Sequence, residues 1–128
     1  MEERTLLVVD DQLGVRRLLA ETFKDQGFRV ELAANGPEAL DKVKERPPSL
    51  ILLDMKMPGM NGLEVVRAIK QVYPDQAIIM MTAYGELEIV NEALQLGVRE
   101  CITKPFDIHQ LRDLVKRVLD ETGSEPTS

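Results

Sequence analysis

Five polar residues in this sequence stand directly after short apolar runs. Asp10 and Asp11 follow Leu6-Leu7-Val8-Val9, Asp54 follows Leu50-Ile51-Leu52-Leu53, Thr82 follows Ile78-Ile79-Met80-Met81, and Lys104 closes the run from Val98 to Thr103. Crowded carboxylates disfavour one another's ionisation. A hard divalent cation relieves that conflict, since Mg²⁺ binds through carboxylates, backbone oxygen and water. A carboxylate can also act as a nucleophile and form an aspartyl-phosphate. Phosphoryl transfer asks mainly for positioning and for charge neutralisation at the equatorial oxygens. A metal on Asp11 and Asp54, the Lys104 amine and the Thr82 hydroxyl would cover those oxygens. Asp54, between metal and lysine in strand order, is then the nucleophile.

Each residue also has a plainer reading. Asp11 is a good helix N-cap, and Thr82 can end a strand or cap a helix. Asp54 can simply open a loop, and Lys104 can be a solvated loop lysine. What favours chemistry is that all of them fall at the same end of one sheet.

The sheet follows from the pattern. Thr5–Val9, Leu50–Leu53, Ala77–Met81 and Val98–Thr103 read as buried strands, being short, branched and bounded by turn residues. The segment 28–32 alternates apolar and polar residues, which suits an edge strand. Helices are expected over 12–26, from Gly36-Pro37 to Pro47, over 62–73, over 86–96 and from Asp107 onward. In the first, Val15, Leu18, Leu19 and Phe23 share a face and Gly27 supplies the stop; in the fourth, Leu87, Val90 and Leu94 recur at helical spacing. Strands alternating with helices make an α/β fold, a doubly wound (βα)5 parallel five-stranded sheet. The order 2-1-3-4-5 puts the alternating second strand at an edge and the first and third strands side by side. Ligands of such sheets bind at the strands' carboxyl ends. Residues 1–122 form one domain on this reading, with 123–128 a polar tail.

With 128 residues, 44% of them hydrophobic, the chain is long enough for a full core. A net charge of −6 argues against direct contact with nucleic acid. No apolar run reaches membrane-spanning length, and the start has no signal-peptide character. The lone Cys101 suits a reducing, cytoplasmic compartment. Met55, Met57, Met60, Met80 and Met81 read as core filling rather than soft-metal ligands.

The blocks Val8-Val9-Asp10-Asp11-Gln12, Leu52-Leu53-Asp54-Met55-Lys56-Met57-Pro58-Gly59, Met81-Thr82-Ala83 and Thr103-Lys104-Pro105-Phe106 together resemble the receiver domain of two-component response regulators, over about residues 5–121. The resemblance implies a flavodoxin-like fold and phosphorylation of Asp54 by the phosphohistidine of a sensor histidine kinase. It implies Mg²⁺, with Mn²⁺ as the alternative ion, on Asp10, Asp11, Asp54 and the Lys56 backbone carbonyl, and a cis peptide at Lys104-Pro105. Within the family, the segments 10–16, 81–87 and 104–108 are most similar to the single-domain regulators of sporulation phosphorelays. Those pass the phosphoryl group on to a histidine phosphotransferase, and an aspartyl-phosphate phosphatase is a further partner of the same kind. Such a protein is a phosphoacceptor rather than a turnover enzyme.

One departure stands out. Receivers that drive an output domain usually carry Tyr or Phe three residues before the lysine, where this chain has Cys101. That substitution argues for a monomer whose signal is the phosphate itself. Leu13, Gly14, Val15, Leu18, Pro105, Phe106 and Ile108 flank the expected cleft and would seat a helical histidine donor, unless Leu18 belongs to the core. Lys56 and Tyr84, each two residues beyond a site residue, would overhang the phosphoryl group and slow its attack by water. His109, the one histidine, reads as a surface residue rather than a phosphodonor.

Three other readings compete. A small phosphatase with an aspartate nucleophile would typically carry a second Asp where this chain has Lys56. A flavin carrier needs a phosphate cradle where Asp10-Asp11 would repel a phosphate. A receiver belonging to a larger DNA-binding regulator would share all the motifs above.

Overall fold

The computed structural model describes residues 4–123. Five strands and five helices alternate along them: β1 (Thr5–Val9), α1 (Leu13–Asp25), β2 (Arg29–Ala33), α2 (Gly36–Glu45), β3 (Leu50–Asp54), α3 (Gly62–Val72), β4 (Ile78–Ala83), α4 (Leu87–Gln95), β5 (Glu100–Lys104) and α5 (Ile108–Gly123). The strands form one parallel sheet in the order β2-β1-β3-β4-β5, as expected. Gly123 ends α5 rather than opening a tail, and 124–128 lie outside the described residues.

Strand alternation builds two cores. Leu7, Val9, Ile51, Leu53, Ile78 and Met80 point to one face, where α2, α3 and α4 cover them. Leu6, Val8, Leu50, Leu52, Ile79 and Met81 point to the other, under α1 and α5. Because both faces are covered, the central strands read as continuous apolar runs. β2 keeps only Ala33 fully buried, as an edge strand should.

Two expected helix faces are corrected. Leu18 is not part of the α1 core: it is 53% exposed, and Leu19, Ala20 and Phe23 are the buried residues. On α4 the sheet-facing stripe is Ile89, Ala93 and Leu96, which leaves Leu87 73% exposed. Both α4 stripes have helical spacing. Packing against the sheet, which periodicity does not contain, selects one of them.

Local chemistry fixes the helix starts. Asn61 and Glu64 form a capping box at α3, and the Asn35 side chain accepts the Glu38 N–H at 2.9 Å at α2. Gly62 packs on the backbone that follows Asp54. Its N–H donates to the Met55 carbonyl at 2.8 Å, and a Cβ there would come within 2.8 Å of Met55 Cα. α3 is thereby anchored against the end of β3.

Candidate functional site

Sheet register brings the strand ends together. Val9 pairs with Leu53, so Asp10 and Asp54 leave adjacent strands side by side. On the other side, Thr82 and Ala83 of β4 pair with Thr103 and Lys104 of β5. The result is a cleft of about 540 Å³ lined by residues that include Asp11, Asp54, Lys56, Thr82 and Lys104. Oxygens of Asp10, Asp11 and Asp54 lie within 4.8 Å of one another.

Asp10 is fully buried and held on every side. Its Oδ1 accepts the Gln12 N–H at 2.9 Å and its Oδ2 accepts a bond from Lys104 Nζ at 2.7 Å. The Arg16 guanidinium donates to its carbonyl at 2.8 Å. Asp54 is 6% exposed, with Oδ1 3.3 Å from Lys104 Nζ. Burial and the Asp10 charge hold its carboxyl above the usual range, despite the lowering effect of Lys104. For Lys104, burial alone favours the neutral amine, but the hydrogen bond to Asp10 and the Asp54 charge outweigh it and the amine is pushed up.

Thr82 is buried at the end of β4, and its Oγ1 finds no hydrogen-bond partner among the described residues. A buried hydroxyl without a partner costs free energy, and this one belongs to a residue that lines the cleft. The donor set fits a hard divalent cation. It is all oxygen, and three carboxylates against one ammonium leave an excess of two negative charges.

The structure thus brings Asp10, Asp11, Asp54, Thr82 and Lys104 together, and Lys56 lines the same cleft. Tyr84 stays outside, 90% exposed. The Lys104-Pro105 peptide is cis. Leu13 and Leu18 are exposed on α1, and Pro105 is exposed beside Lys104. Val15, Phe106 and Ile108 are half-buried against the α1–α5 core. Gly14 faces open space, since a Cβ on it would meet nothing within 4 Å. Cys101 is half-buried, and burial with the Glu100 charge pushes its thiol up to about 11. His109 is exposed on α5.

Sequence reasoning missed Glu86. It lines the cleft, and its Oε1 accepts the Ala83 N–H at 2.9 Å. An acid just ahead of α4 was the available signal, but it reads equally well as a helix-start preference.

Comparison with known proteins agrees with this geometry. Residues 6–116 match the family model of the response regulator receiver domain. The chain is 46% identical over 119 residues to sporulation initiation phosphotransferase F of Bacillus subtilis, covering 93% of this chain and 96% of that protein. It is 38% identical to the regulatory protein AtoC of Escherichia coli, covering 89% of this chain but only 25% of AtoC. Among solved structures, a CheY-like receiver domain protein of Methanospirillum hungatei superposes with a TM-score of 0.92 at 31% identity, over 97% of this chain and 99% of that one. The chemotaxis protein CheY4 of Vibrio cholerae gives 0.87 at 33% identity, over 91% of this chain and 99% of that one.

Proposed function

The chain belongs to the response regulator receiver family, and from that premise we propose that it is a phosphorelay protein that takes a phosphoryl group onto Asp54 from the phosphohistidine of a sensor histidine kinase and passes it to a histidine phosphotransferase. The observation that carries this reading is the orphaned hydroxyl of Thr82, a residue that lines one cleft with Asp54 and Lys104 at the strand edge where three carboxylates meet.

Each residue then has a task. The ionised Asp54 carboxylate attacks phosphorus; an oxygen–phosphorus bond forms as the nitrogen–phosphorus bond of the donor breaks, and the imidazole leaves with the bonding pair and takes up a proton. Lys104 offers a fixed positive charge to the transferred oxygens, and the Thr82 hydroxyl gives one of them a donor. Asp10, Asp11, Asp54 and the Lys56 carbonyl are the residues that would hold Mg²⁺ or Mn²⁺. Bound there, the ion would supply charge neutralisation for the carboxylates and the arriving phosphoryl group. The protein assists its own phosphorylation and dephosphorylation, with Lys56 at the cleft as the candidate modulator of hydrolysis. Tyr84, exposed outside the cleft, is the weaker candidate of the two.

The exposed apolar side chains Leu13 and Leu18, with Gly14, Pro105 and the half-buried Val15, Phe106 and Ile108 beside them, support docking of a helical histidine donor next to Asp54. A kinase, a phosphotransferase and an aspartyl-phosphate phosphatase would share this surface. The reading places a monomer in the cytoplasm without nucleic-acid or membrane contact. Among the described residues no helix is long and apolar enough to cross a membrane. The chain's small share of AtoC supports a second reading, a receiver unit of a larger transcriptional regulator.

Transfer from a phosphohistidine-bearing phosphotransferase domain tests the relay. Phosphoryl should move to wild-type protein and not to Asp54→Asn. Leu18→Asp should cut transfer about tenfold relative to uptake from acetyl phosphate, as loss of one apolar anchor predicts. Transfer that ignores Asp54→Asn would overturn the reading.

A further inference from the structure

Glu86 belongs to no strand end, yet its carboxylate reaches back into the cleft and accepts the Ala83 N–H at 2.9 Å. Strand geometry says where that N–H faces. The Met81 carbonyl accepts the Met55 N–H at 3.0 Å, so the peptide groups of Met81 face β3. Backbone groups two residues apart on a strand face the same side, which turns the Ala83 N–H toward β3 as well. β3 ends at Asp54, so on that side the N–H meets the cleft that Asp54 also lines rather than another strand carbonyl. Two donors therefore lie at the β4 edge of the cleft that Asp54 lines. The Thr82 hydroxyl is unpartnered, and the Ala83 N–H is occupied by an acid of the same chain.

We propose that Glu86 is an internal competitor for the phosphoryl group: it holds the Ala83 N–H while Asp54 is free and gives it up when Asp54 is phosphorylated. This rests on the phosphoacceptor reading above and adds a positioning residue to it. An arriving phosphoryl group carries roughly two negative charges and strong acceptor oxygens. The Glu86 carboxylate in the same cleft is repelled by that charge, and the phosphoryl oxygens make the stronger charge-assisted bond to the vacated amide. Release has somewhere to go. Glu86 is the N-cap residue of α4, its side chain makes no cap bond there, and a carboxylate beside a helix N-terminus is favoured. The exchange passes through a short turn with Gly85 at φ +86°, a conformation that glycine adopts without strain. Phosphorylation is thereby felt at the start of α4 without an aromatic ring at position 101.

The test uses the full chain with Mg²⁺ and acetyl phosphate, comparing wild type with Glu86→Gln and Glu86→Ala. Two quantities are read: the rate of phosphoryl uptake by intact mass, and the Ala83 amide resonance before and after phosphorylation. Uptake should quicken about tenfold in Glu86→Ala, the rate equivalent of one charge-assisted hydrogen bond, and by less in the neutral but still accepting Glu86→Gln. The Ala83 resonance should differ among the three unphosphorylated proteins and converge once they are phosphorylated. Equal or slower uptake in the variants, or an Ala83 resonance in wild type that phosphorylation leaves unmoved, overturns the competitor role. Absence of uptake in all three proteins would instead overturn the phosphoacceptor reading beneath it.

Discussion

Lys104 is bound to Asp10 more closely than to Asp54: its Nζ donates to Asp10 Oδ2 at 2.7 Å and stands 3.3 Å from Asp54 Oδ1. The acid that is fully buried takes the lysine, and the proposed phosphoacceptor only borders it. Asp10 thus has both oxygens satisfied, whereas burial and the Asp10 charge hold the Asp54 carboxyl above its usual range.

Removing that lysine should expose the conflict. Lys104→Met is expected to destabilise the metal-free protein by about 1–3 kcal/mol, below the range for a fully buried pair because Lys104 is partly solvated. Added Mg²⁺ should recover part of the loss and bind more tightly than in wild type, because a competing cation is gone. Phosphoryl uptake should fall about a hundredfold. Denaturant titrations with and without Mg²⁺ measure the first two effects. Equal stability without metal would mean that Lys104 does not hold the carboxylates.

The raised Asp54 carboxyl gives a pH dependence. Its protonated form is favoured in the fold, so its contribution is fully present below the ordinary carboxylate value near 4 and is lost as pH rises through the higher folded value. Metal-free wild type should therefore lose stability over that interval while Asp54→Asn does not. At pH 7 the Asn variant should melt higher, by roughly 3 °C. A melting profile with the same pH slope for both proteins would contradict the assignment.

Thr82→Val removes a buried hydroxyl that has no partner and keeps the shape. Stability should stay level or rise by up to about 1 kcal/mol, while handling of the phosphoryl group worsens. A loss of more than about 1 kcal/mol in thermal denaturation would show that the hydroxyl is satisfied in solution.

Cys101 should be a slow thiol. With its pKa pushed up to about 11, reaction with a disulfide reagent at pH 8 should run roughly a hundredfold below an ordinary cysteine and climb with pH toward that value. The same shift makes the neutral thiol's contribution to stability fall as pH rises from 9 through about 11. Fast labelling at pH 8 would contradict the half-buried placement.

Strand ends were the legible part of this chain. Buried parallel strands leave continuous apolar runs, so Asp10, Asp54, Thr82 and Lys104 could be placed at one sheet edge from the sequence alone. The sequence left Leu18 open between the α1 core and the docking surface and did not select the inward stripe of α4, because Leu18 and Leu19, like Val90 and Ile89, offer alternative faces of similar apolarity. The resting partner of Lys104 and the Glu86 bond to Ala83 depend on side-chain conformations that sequence spacing does not encode.

Intact mass after incubation with Mg²⁺ and acetyl phosphate is the decisive measurement for Asp54 as the proposed phosphoacceptor. Wild type should gain the mass of one phosphoryl group, and Asp54→Asn should gain none. Chelator added beforehand should suppress the gain. No gain in wild type, or an equal gain in Asp54→Asn, would contradict the account.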